Sequence, residues 1–208
     1  MKIQIIFGSQ SDESIYSAIQ SDLEKRDHRT DVKVLSAHRN PLELKALLSD
    51  LPPQPIIAGA GLAAHLPGVV ASLVTYPVFG VPVKSVFQGL DAFLSIVQMP
   101  KGVPVACSFH STSIADFLAK NNFEEKIYST QTSDTNCELK DANILIANLE
   151  EHKATAFSGV RVLHTTSEEK TNPAFTLKWH EVALQTGLWV GINRLENAKI
   201  FLEKMRSL

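Results

Sequence analysis

Three clusters of residues could do chemistry, and the first spans residues 8–12, Gly-Ser-Gln-Ser-Asp. A glycine lets the backbone approach a ligand closely, and the N–H groups at the start of a following helix bind anions. Ser9 and Ser11 could therefore hold a phosphate, although both could also serve only as helix caps. Asp12 would repel a phosphate, so it is expected either to accept hydrogen bonds from ribose hydroxyls or to complement the helix dipole.

The second cluster, residues 36–39, places a hydroxyl, an imidazole and a permanent cation within four residues. Arg39 could bind a phosphate through its planar guanidinium, and His38 could move protons near neutral pH. The alternative interpretation is a solvated polar loop, in which Ser36 and its neighbours have no ligand.

The third cluster, residues 58–68, reads Ala-Gly-Ala-Gly-Leu-Ala-Ala-His-Leu-Pro-Gly. Small residues leave room for a ligand, and His65 begins an apolar helical pattern in which a polar group requires a partner. A core histidine with a satisfied hydrogen bond is the alternative. Gly59 and Gly61 lack the third glycine of a dinucleotide fingerprint, and no residue spacing resembles a metal site. The sequence therefore predicts neither a cofactor nor a metal.

The elements around these clusters alternate between short apolar runs and helical patterns. The runs predicted as buried strands are residues 3–7, 32–35, 55–58, 76–81 and 103–106. Strands separated by helices predict a three-layer α/β fold with a parallel sheet, of the flavodoxin-like or Rossmann-like kind. Such sheets bind ligands at the carboxyl ends of their strands, so the three clusters are expected to lie together.

The second half of the chain has weaker periodicity and more Ser, Thr and Asn. Its patterns predict a helix at residues 114–123, strands at 160–163 and 175–179, and an amphipathic helix at 194–208. The polar composition of residues 107–186 predicts an α+β segment on the surface.

Several residues in this half could suggest metal binding or base stacking. The histidines and cysteines concerned are His110, His152, His164, His180, Cys107 and Cys137. Their irregular spacing favours scattered surface positions over a metal site. Trp179 and Trp189 are not surrounded by a stripe of basic residues, so they are expected to pack rather than to stack on bases.

Composition limits the classes of partner. The chain has 20 Lys and Arg against 22 Asp and Glu, a formal net charge of −2, which provides no cationic surface for a nucleic acid or an anionic membrane. Two cysteines make no disulfide framework, and we expect no secretion leader and no membrane span. The sequence predicts a cytoplasmic protein that binds a small molecule.

Five motifs, in this order and spacing, resemble the PurE family of purine biosynthesis. They lie at residues 8–12, 36–41, 58–68, 80–83 and 95–100. The Ala-Ala-His-Leu-Pro-Gly form of the third motif resembles the class I mutases rather than the class II carboxylases, which use free carbon dioxide.

The resemblance implies roles for individual residues. Ser9, Ser11 and Arg39 would hold the ribose phosphate, and Asp12 the ribose. Ser36 and the backbone of Gly59, Ala60 and Gly61 would hold the imidazole and its carboxylate, with Leu66 also in contact with the substrate. His38 would be the acid and base, and His65 a second catalytic histidine.

The implied activity is conversion of N5-carboxyaminoimidazole ribonucleotide to 4-carboxy-5-aminoimidazole ribonucleotide by decarboxylation and recarboxylation in an enclosed pocket. Two alternatives remain open: a class II-like carboxylase that acts on aminoimidazole ribonucleotide and carbon dioxide, and a nucleotide-binding protein with altered chemistry. The resemblance also implies a homo-oligomer, an octamer.

The sequence departs from the family pattern in three places. Leu62 stands where a small residue is usual, and Gln88 replaces a serine before Gly89. The family pattern stops after residue 106 and resumes near residue 187. Residues 1–106 with 187–208 are therefore predicted to form the nucleotide-binding domain, and residues 107–186 an insertion that serves as a lid, an oligomer contact or a small subdomain.

Overall fold

A computed structural model describes residues 1–208, which form one nine-stranded sheet with helices on both faces. The strands are β1 (Lys2–Phe7), β2 (Arg29–Val34), β3 (Ile56–Ala60), β4 (Val78–Pro82), β5 (Ala106–Cys107), β6 (Ile127–Ser129), β7 (Ile144–Ala147), β8 (Val160–Leu163) and β9 (Leu188–Ile192). The helices are α1 (Glu13–Glu24), α2 (Pro41–Asp50), α3 (His65–Leu73), α4 (Leu90–Val97), α5 (Ser111–Leu118), α6 (Leu149–Ala154), α7 (Ser167–Thr171), α8 (Pro173–Ala183) and α9 (Leu195–Arg206).

The strand order is β2-β1-β3-β4-β5-β9-β8-β7-β6. All neighbours are parallel except β5 and β9, which pair antiparallel through Cys107 and Trp189. The predicted α/β fold with a parallel sheet is confirmed, with this one antiparallel seam as a difference. No helix is long and apolar enough to cross a bilayer.

The core consists of two layers, one on each face of the sheet. Along β1, Ile3 and Ile5 face the layer that contains α1, α5 and α9, whereas Ile6 faces the layer that contains α2, α3, α4 and α8. This split follows from the two-residue alternation of side chains along a strand. Buried apolar side chains on both faces explain why the strands of the first half are continuous apolar runs.

The predicted strand at residues 175–179 is wrong, because these residues lie in the helix α8. Phe175, Leu177 and Trp179 alternate with polar residues and so imitate a strand. Asn172 caps the helix by accepting a hydrogen bond from the N–H of Ala174 at 2.9 Å, and Pro173 occupies the first turn. These helix start signals favour a helix over a strand at residues 175–179.

The expected surface position of residues 107–186 is also wrong. Strand β7 is buried throughout, and strands β6, β7 and β8 extend the same sheet as the first half. His152, His180 and Cys107 are buried rather than scattered over the surface. The polar residues that gave this segment its composition lie mainly in its loops and short helices, whereas its short strands are mainly apolar. Trp179 and Trp189 are fully buried packing residues, as predicted.

Other element boundaries differ less from the predictions. The helix predicted at residues 114–123 begins earlier, at Ser111, and ends at Leu118. The strand at 160–163 and the C-terminal amphipathic helix are confirmed. Helix α9 returns to the first half: the ring of Phe201 lies 5.2 Å from that of Phe79 on β4, nearly perpendicular to it.

Candidate functional site

The carboxyl ends of β1, β2, β3 and β4 meet at one edge of the sheet and surround an open cleft of about 520 Å³. Parallel strands place the loops that follow them side by side, so clusters separated in sequence become neighbours. The lining residues are Gly8, Ser9, Ser11, Asp12, Ser36, Ala37, His38, Arg39, Ala60, Gly61, Leu62, Ala63, Ala64, His65, Leu66, Val83 and Ser85. All three clusters therefore contribute to a single site.

One corner of the cleft is suited to a phosphate. Ser9 caps a helical turn at Gln10–Asp12, its Oγ accepting from the N–H of Ser11 at 3.3 Å, and the two serine hydroxyls are 2.8 Å apart. The Arg39 guanidinium donates to the carbonyl oxygen of Gly8 at 2.7 Å, which brings a cation to the same loop. Arg39 takes part in none of the ion pairs of the structure, so its charge is free to balance an anion.

Asp12 lies beside this corner and accepts a hydrogen bond from the Ser11 hydroxyl at 3.1 Å. Partial burial raises the pKa of Asp12 above its ordinary value, and the Ser11 hydroxyl acts in the opposite direction. A carboxylate in this position can accept hydrogen bonds from ligand hydroxyls. It would also oppose a phosphate placed directly against it.

Ser36 organises the loop that carries His38 and Arg39. Its hydroxyl oxygen accepts from the backbone N–H groups of both residues, each at 3.3 Å. This local turn, of a kind that serines favour, orients the two side chains towards the cleft. Ser36 thus fixes the loop in addition to lining the site.

The two predicted catalytic histidines are in direct contact. Nε2 of His38 lies 2.9 Å from Nδ1 of His65, and the rings meet edge to face with centroids 5.0 Å apart. Both side chains are exposed in the cleft, so His65 is not a core histidine; its partner is His38. One of the two nitrogens must donate and the other accept.

Some residues of the third cluster lie inside strand β3, and others line the cleft. Gly59 lies inside β3 rather than in the cleft, where a Cβ would come within 2.2 Å of the Phe7 ring. Gly61 faces the cleft beside Val83, and Leu66 forms a buried apolar part of the wall, with 2% of its surface exposed. Leu62 has a left-handed backbone with φ of 56° and leaves 58% of its surface exposed.

Ser85 is the one hydroxyl of the cleft that sequence reasoning missed. A Cβ built on Gly61 would lie 3.6 Å from its Oγ. The signal was its position directly after a predicted strand, as for the other three clusters. A single serine after this strand, without a neighbouring imidazole, cation or second hydroxyl, gave no pattern typical of a binding site.

A second cavity of about 530 Å³ lies between the start of α5 and the loops that precede β8 and β9. It is similar in size to the cleft, but its walls join no cluster of titratable groups comparable to that of the cleft. No group of three or more His, Cys, Asp or Glu side chains is arranged to hold a metal ion. The cleft is the candidate site, because its polar groups converge.

Together, the fold and the cleft define an α/β protein with a site suited to a small phosphorylated ligand. A family model described as AIR carboxylase matches residues 2–142, more than half of the chain. The chain therefore belongs to the AIR carboxylase family.

Characterised relatives match mainly the first half of the chain. The N5-carboxyaminoimidazole ribonucleotide mutase of Methanocaldococcus jannaschii is 50% identical over 104 residues, which cover 50% of this chain and 66% of the relative. The phosphoribosylaminoimidazole carboxylase of Candida glabrata is 47% identical over 122 residues, 56% of this chain and 21% of that protein. The chain thus spans less than two thirds of the length of either relative.

A solved structure gives the same picture. The crystal structure of Treponema denticola PurE superposes with a TM-score of 0.52 at 27% identity, covering 55% of this chain and 75% of that one. The mainly parallel sheet with helices on both faces is common to both.

Proposed function

We propose that this protein is a class I mutase that converts N5-carboxyaminoimidazole ribonucleotide to 4-carboxy-5-aminoimidazole ribonucleotide in purine biosynthesis. The observation that carries the proposal is the convergence of Ser9, Ser11, Arg39, His38 and His65 in one cleft. The proposal is supported by relatives of that name at 46–50% identity.

In this function the phosphate binds at the serine corner. The hydroxyls of Ser9 and Ser11 donate to phosphate oxygens, and Arg39 gives up or shares its contact with Gly8 to bind the anion. Asp12 accepts from the ribose hydroxyls. The imidazole then extends towards Gly61 and the two histidines, with Leu66 as an apolar wall.

The proposed reaction uses His38 twice, first to donate a proton and then to accept a different one. As the bond from the amine nitrogen to the carboxylate breaks, His38 donates a proton to that nitrogen and carbon dioxide is released into the pocket. Carbon dioxide then forms a bond to carbon 4 of the imidazole, and His38 takes the proton from that carbon. His38 finishes in its starting state, so the step requires no cofactor. His65, whose Nδ1 lies 2.9 Å from Nε2 of His38, acts as the second catalytic histidine in this proton exchange.

Two other functions have a specific observation behind them. A carboxylase that combines aminoimidazole ribonucleotide with carbon dioxide is supported by the name of the Candida glabrata relative. A nucleotide-binding protein without turnover is supported by Leu62, whose side chain stands in the cleft wall.

The deciding experiment is a steady-state assay with N5-carboxyaminoimidazole ribonucleotide and no added bicarbonate. We expect conversion to the 4-carboxy isomer, with a known mutase assayed in parallel. Consumption of aminoimidazole ribonucleotide with bicarbonate, and none of the carbamate, would identify a carboxylase. Calorimetric binding without turnover would identify a binding protein.

The organisation of the chain is part of the proposal. We infer that residues 1–106 with 187–208 form the nucleotide-binding unit and that residues 107–186 are an insertion. The contacts of α9 support this, since the Asn197 side chain bonds to the N–H of Gly102 and the carbonyl of Pro100, at 2.9 and 3.0 Å.

A homo-oligomer, an octamer by family resemblance, is supported by exposed apolar side chains near the cleft, such as Phe87 at 73% exposure. Light scattering after gel filtration tests this. The free thiols of Cys107 and Cys137 suit a reducing compartment, and we propose the cytoplasm.

A further inference from the structure

The turn between β4 and α4, residues 84–89, has an unusual backbone. Phe87, Gln88 and Gly89 have consecutive positive φ angles of 52°, 58° and 80°. A bulky residue such as phenylalanine rarely adopts this conformation, and such residues persist only where the surrounding structure holds them. The turn therefore depends on its neighbours for its shape.

This turn carries Ser85 into the cleft. Val83 and Ser85 line the cleft, and a Cβ built on Gly61 would lie 3.5 Å from Val83 and 3.6 Å from Ser85 Oγ. In the proposed function Gly61 faces the imidazole end of the nucleotide. A displacement of the turn would therefore move a hydroxyl at the reacting end of the ligand and leave the phosphate end unchanged.

Aromatic side chains support the turn from the side away from the cleft. Phe109 packs beneath it: a Cβ on Gly89 would come within 3.2 Å of the Phe109 ring, and the ammonium of Lys84 lies 5.7 Å above the ring centroid. His180 of α8 lies against Phe109 with ring centroids 5.6 Å apart, edge to face, and against Phe93 at 6.0 Å.

Polar groups meet at the same place. His180 is only 5% exposed, and burial lowers its pKa, while the backbone of Gln88 and the carboxylate of Asp91 act in the opposite direction. Nε2 of His180 and Oδ1 of Asp91 are both buried without a hydrogen-bond partner. The histidine ring is thus enclosed by the turn and the first residues of α4.

Helix α8 lies beyond residue 142, where the match to the AIR carboxylase model ends. The C-terminal half of this chain therefore supplies the support of a turn that belongs to the cleft. We propose that His180 and Phe109 are positioning residues: they hold the turn at residues 84–89 and thereby place the Ser85 hydroxyl at the imidazole end of the site. The expected effect on turnover rests on the proposed function. The support of the turn by His180 and Phe109 does not.

A double-mutant cycle tests the inference through turnover. We expect Ser85→Ala and His180→Ala each to reduce kcat/KM about 10-fold, and the double variant to lose little more than either, because His180 acts through Ser85. Binding of ribose 5-phosphate should stay within about 2-fold in all variants, since the proposed phosphate contacts are made by Ser9, Ser11 and Arg39 and none of these is changed. If the reductions in kcat/KM of the two single variants multiply in the double variant, the proposal is overturned.

Hydrogen exchange of residues 84–89 tests the coupling without reference to activity. His180→Ala should increase exchange in this segment, because local opening becomes less costly when packing is lost. Leu149→Ala is the matched control: Leu149 is 5% exposed in the same core layer, on α6, and its loss should lower stability without a selective effect on the turn. Equal exchange in wild type and His180→Ala would overturn the proposal, even if the protein binds no nucleotide.

Discussion

Nε2 of His38 and Nδ1 of His65 lie 2.9 Å apart, which joins the loop after β2 to the first residue of α3. A hydrogen bond at this distance holds one proton between the two rings. One ring nitrogen donates and the other accepts. The contact places two imidazoles, the side chains that most often act as general acids and bases, at the same point of the cleft.

His38→Asn should therefore lose turnover and keep the ligand. Removal of a general acid and base costs about 100-fold or more in rate, whereas the phosphate contacts of the cleft remain. Single-turnover kinetics and calorimetry with the nucleotide measure the two effects separately. Unchanged turnover would remove His38 from the mechanism.

Arg39→Ala should mainly weaken binding. Loss of a charge-assisted hydrogen bond to a phosphate costs about 1.5–3 kcal/mol, a 10- to 150-fold rise in Kd. Arg39→Lys keeps the charge without the planar geometry, so its Kd should lie between those of the wild type and Arg39→Ala. Calorimetry with the nucleotide and with ribose 5-phosphate provides the measurement, and an alanine variant that binds both ligands as tightly as the wild type would contradict the phosphate role.

Leu62→Gly should stabilise the protein. A left-handed backbone costs a leucine about 1–2 kcal/mol, which glycine avoids, and the greater entropy of glycine in the unfolded chain offsets about 0.5–1 kcal/mol of this gain. We expect a net gain of up to about 1.5 kcal/mol in the free energy of unfolding measured with urea, and a rise in Tm of about 2–4 °C for each kcal/mol gained.

The control for this variant is Leu177→Gly. Leu177 is also exposed, at 51%, but lies inside the helix α8, where glycine costs about 1 kcal/mol. The two substitutions should thus have opposite signs. A loss of stability in Leu62→Gly would show that the side chain contributes more than its backbone costs.

Stability should fall with acid because of His152. Its Nε2–H donates to the carbonyl of Val162 at 3.1 Å, and Arg161 Nη1 donates to its Nδ1 at 3.3 Å, so the ring is held neutral. Burial lowers the pKa of His152 from 6.5 to about 4. Between these values the unfolded chain binds more protons than the native one, so stability falls as pH decreases from about 6.5 to about 4, by about 3 kcal/mol in total.

Urea unfolding at several pH values between 7 and 4 measures this effect. His152→Gln should show a shallower decline, because its side chain does not titrate. Val182→Ala, a buried apolar substitution in the same half, should lower stability by a similar amount at every pH. If His152→Gln follows the wild-type slope, the acid sensitivity arises from other groups.

The first half of the fold was predictable because its signals agree. Apolar runs of strand length alternate with helical patterns, and each polar cluster stands at the end of a run, as at Gly8 and Ser36. This regularity was enough to predict that the clusters would meet. It did not reveal that Gly59 makes room for the Phe7 ring instead of facing the ligand. A glycine is expected in either situation, because both require a small residue.

The second half was less predictable because its signals conflict. Phe175, Leu177 and Trp179 have the spacing of a strand, and only the Asn172-Pro173 start signal indicates the helix. Strand β5 has two residues, and its pairing with β9 joins residues about 80 positions apart, a contact that local patterns do not encode. Phe87 and Gln88 have positive φ angles although neither is a residue type that favours them, so the local sequence does not predict the shape of this turn.

The position of β9 has a consequence for folding during synthesis on the ribosome. This strand lies between β5 and β8, yet it follows both along the chain. A ribosome that adds 5–20 residues per second needs roughly 4–16 s to pass from β5 to β9. During that interval the edge of β5 has no partner, and β8 also has an open edge once it has been made, so both edges are exposed to other strands until β9 emerges.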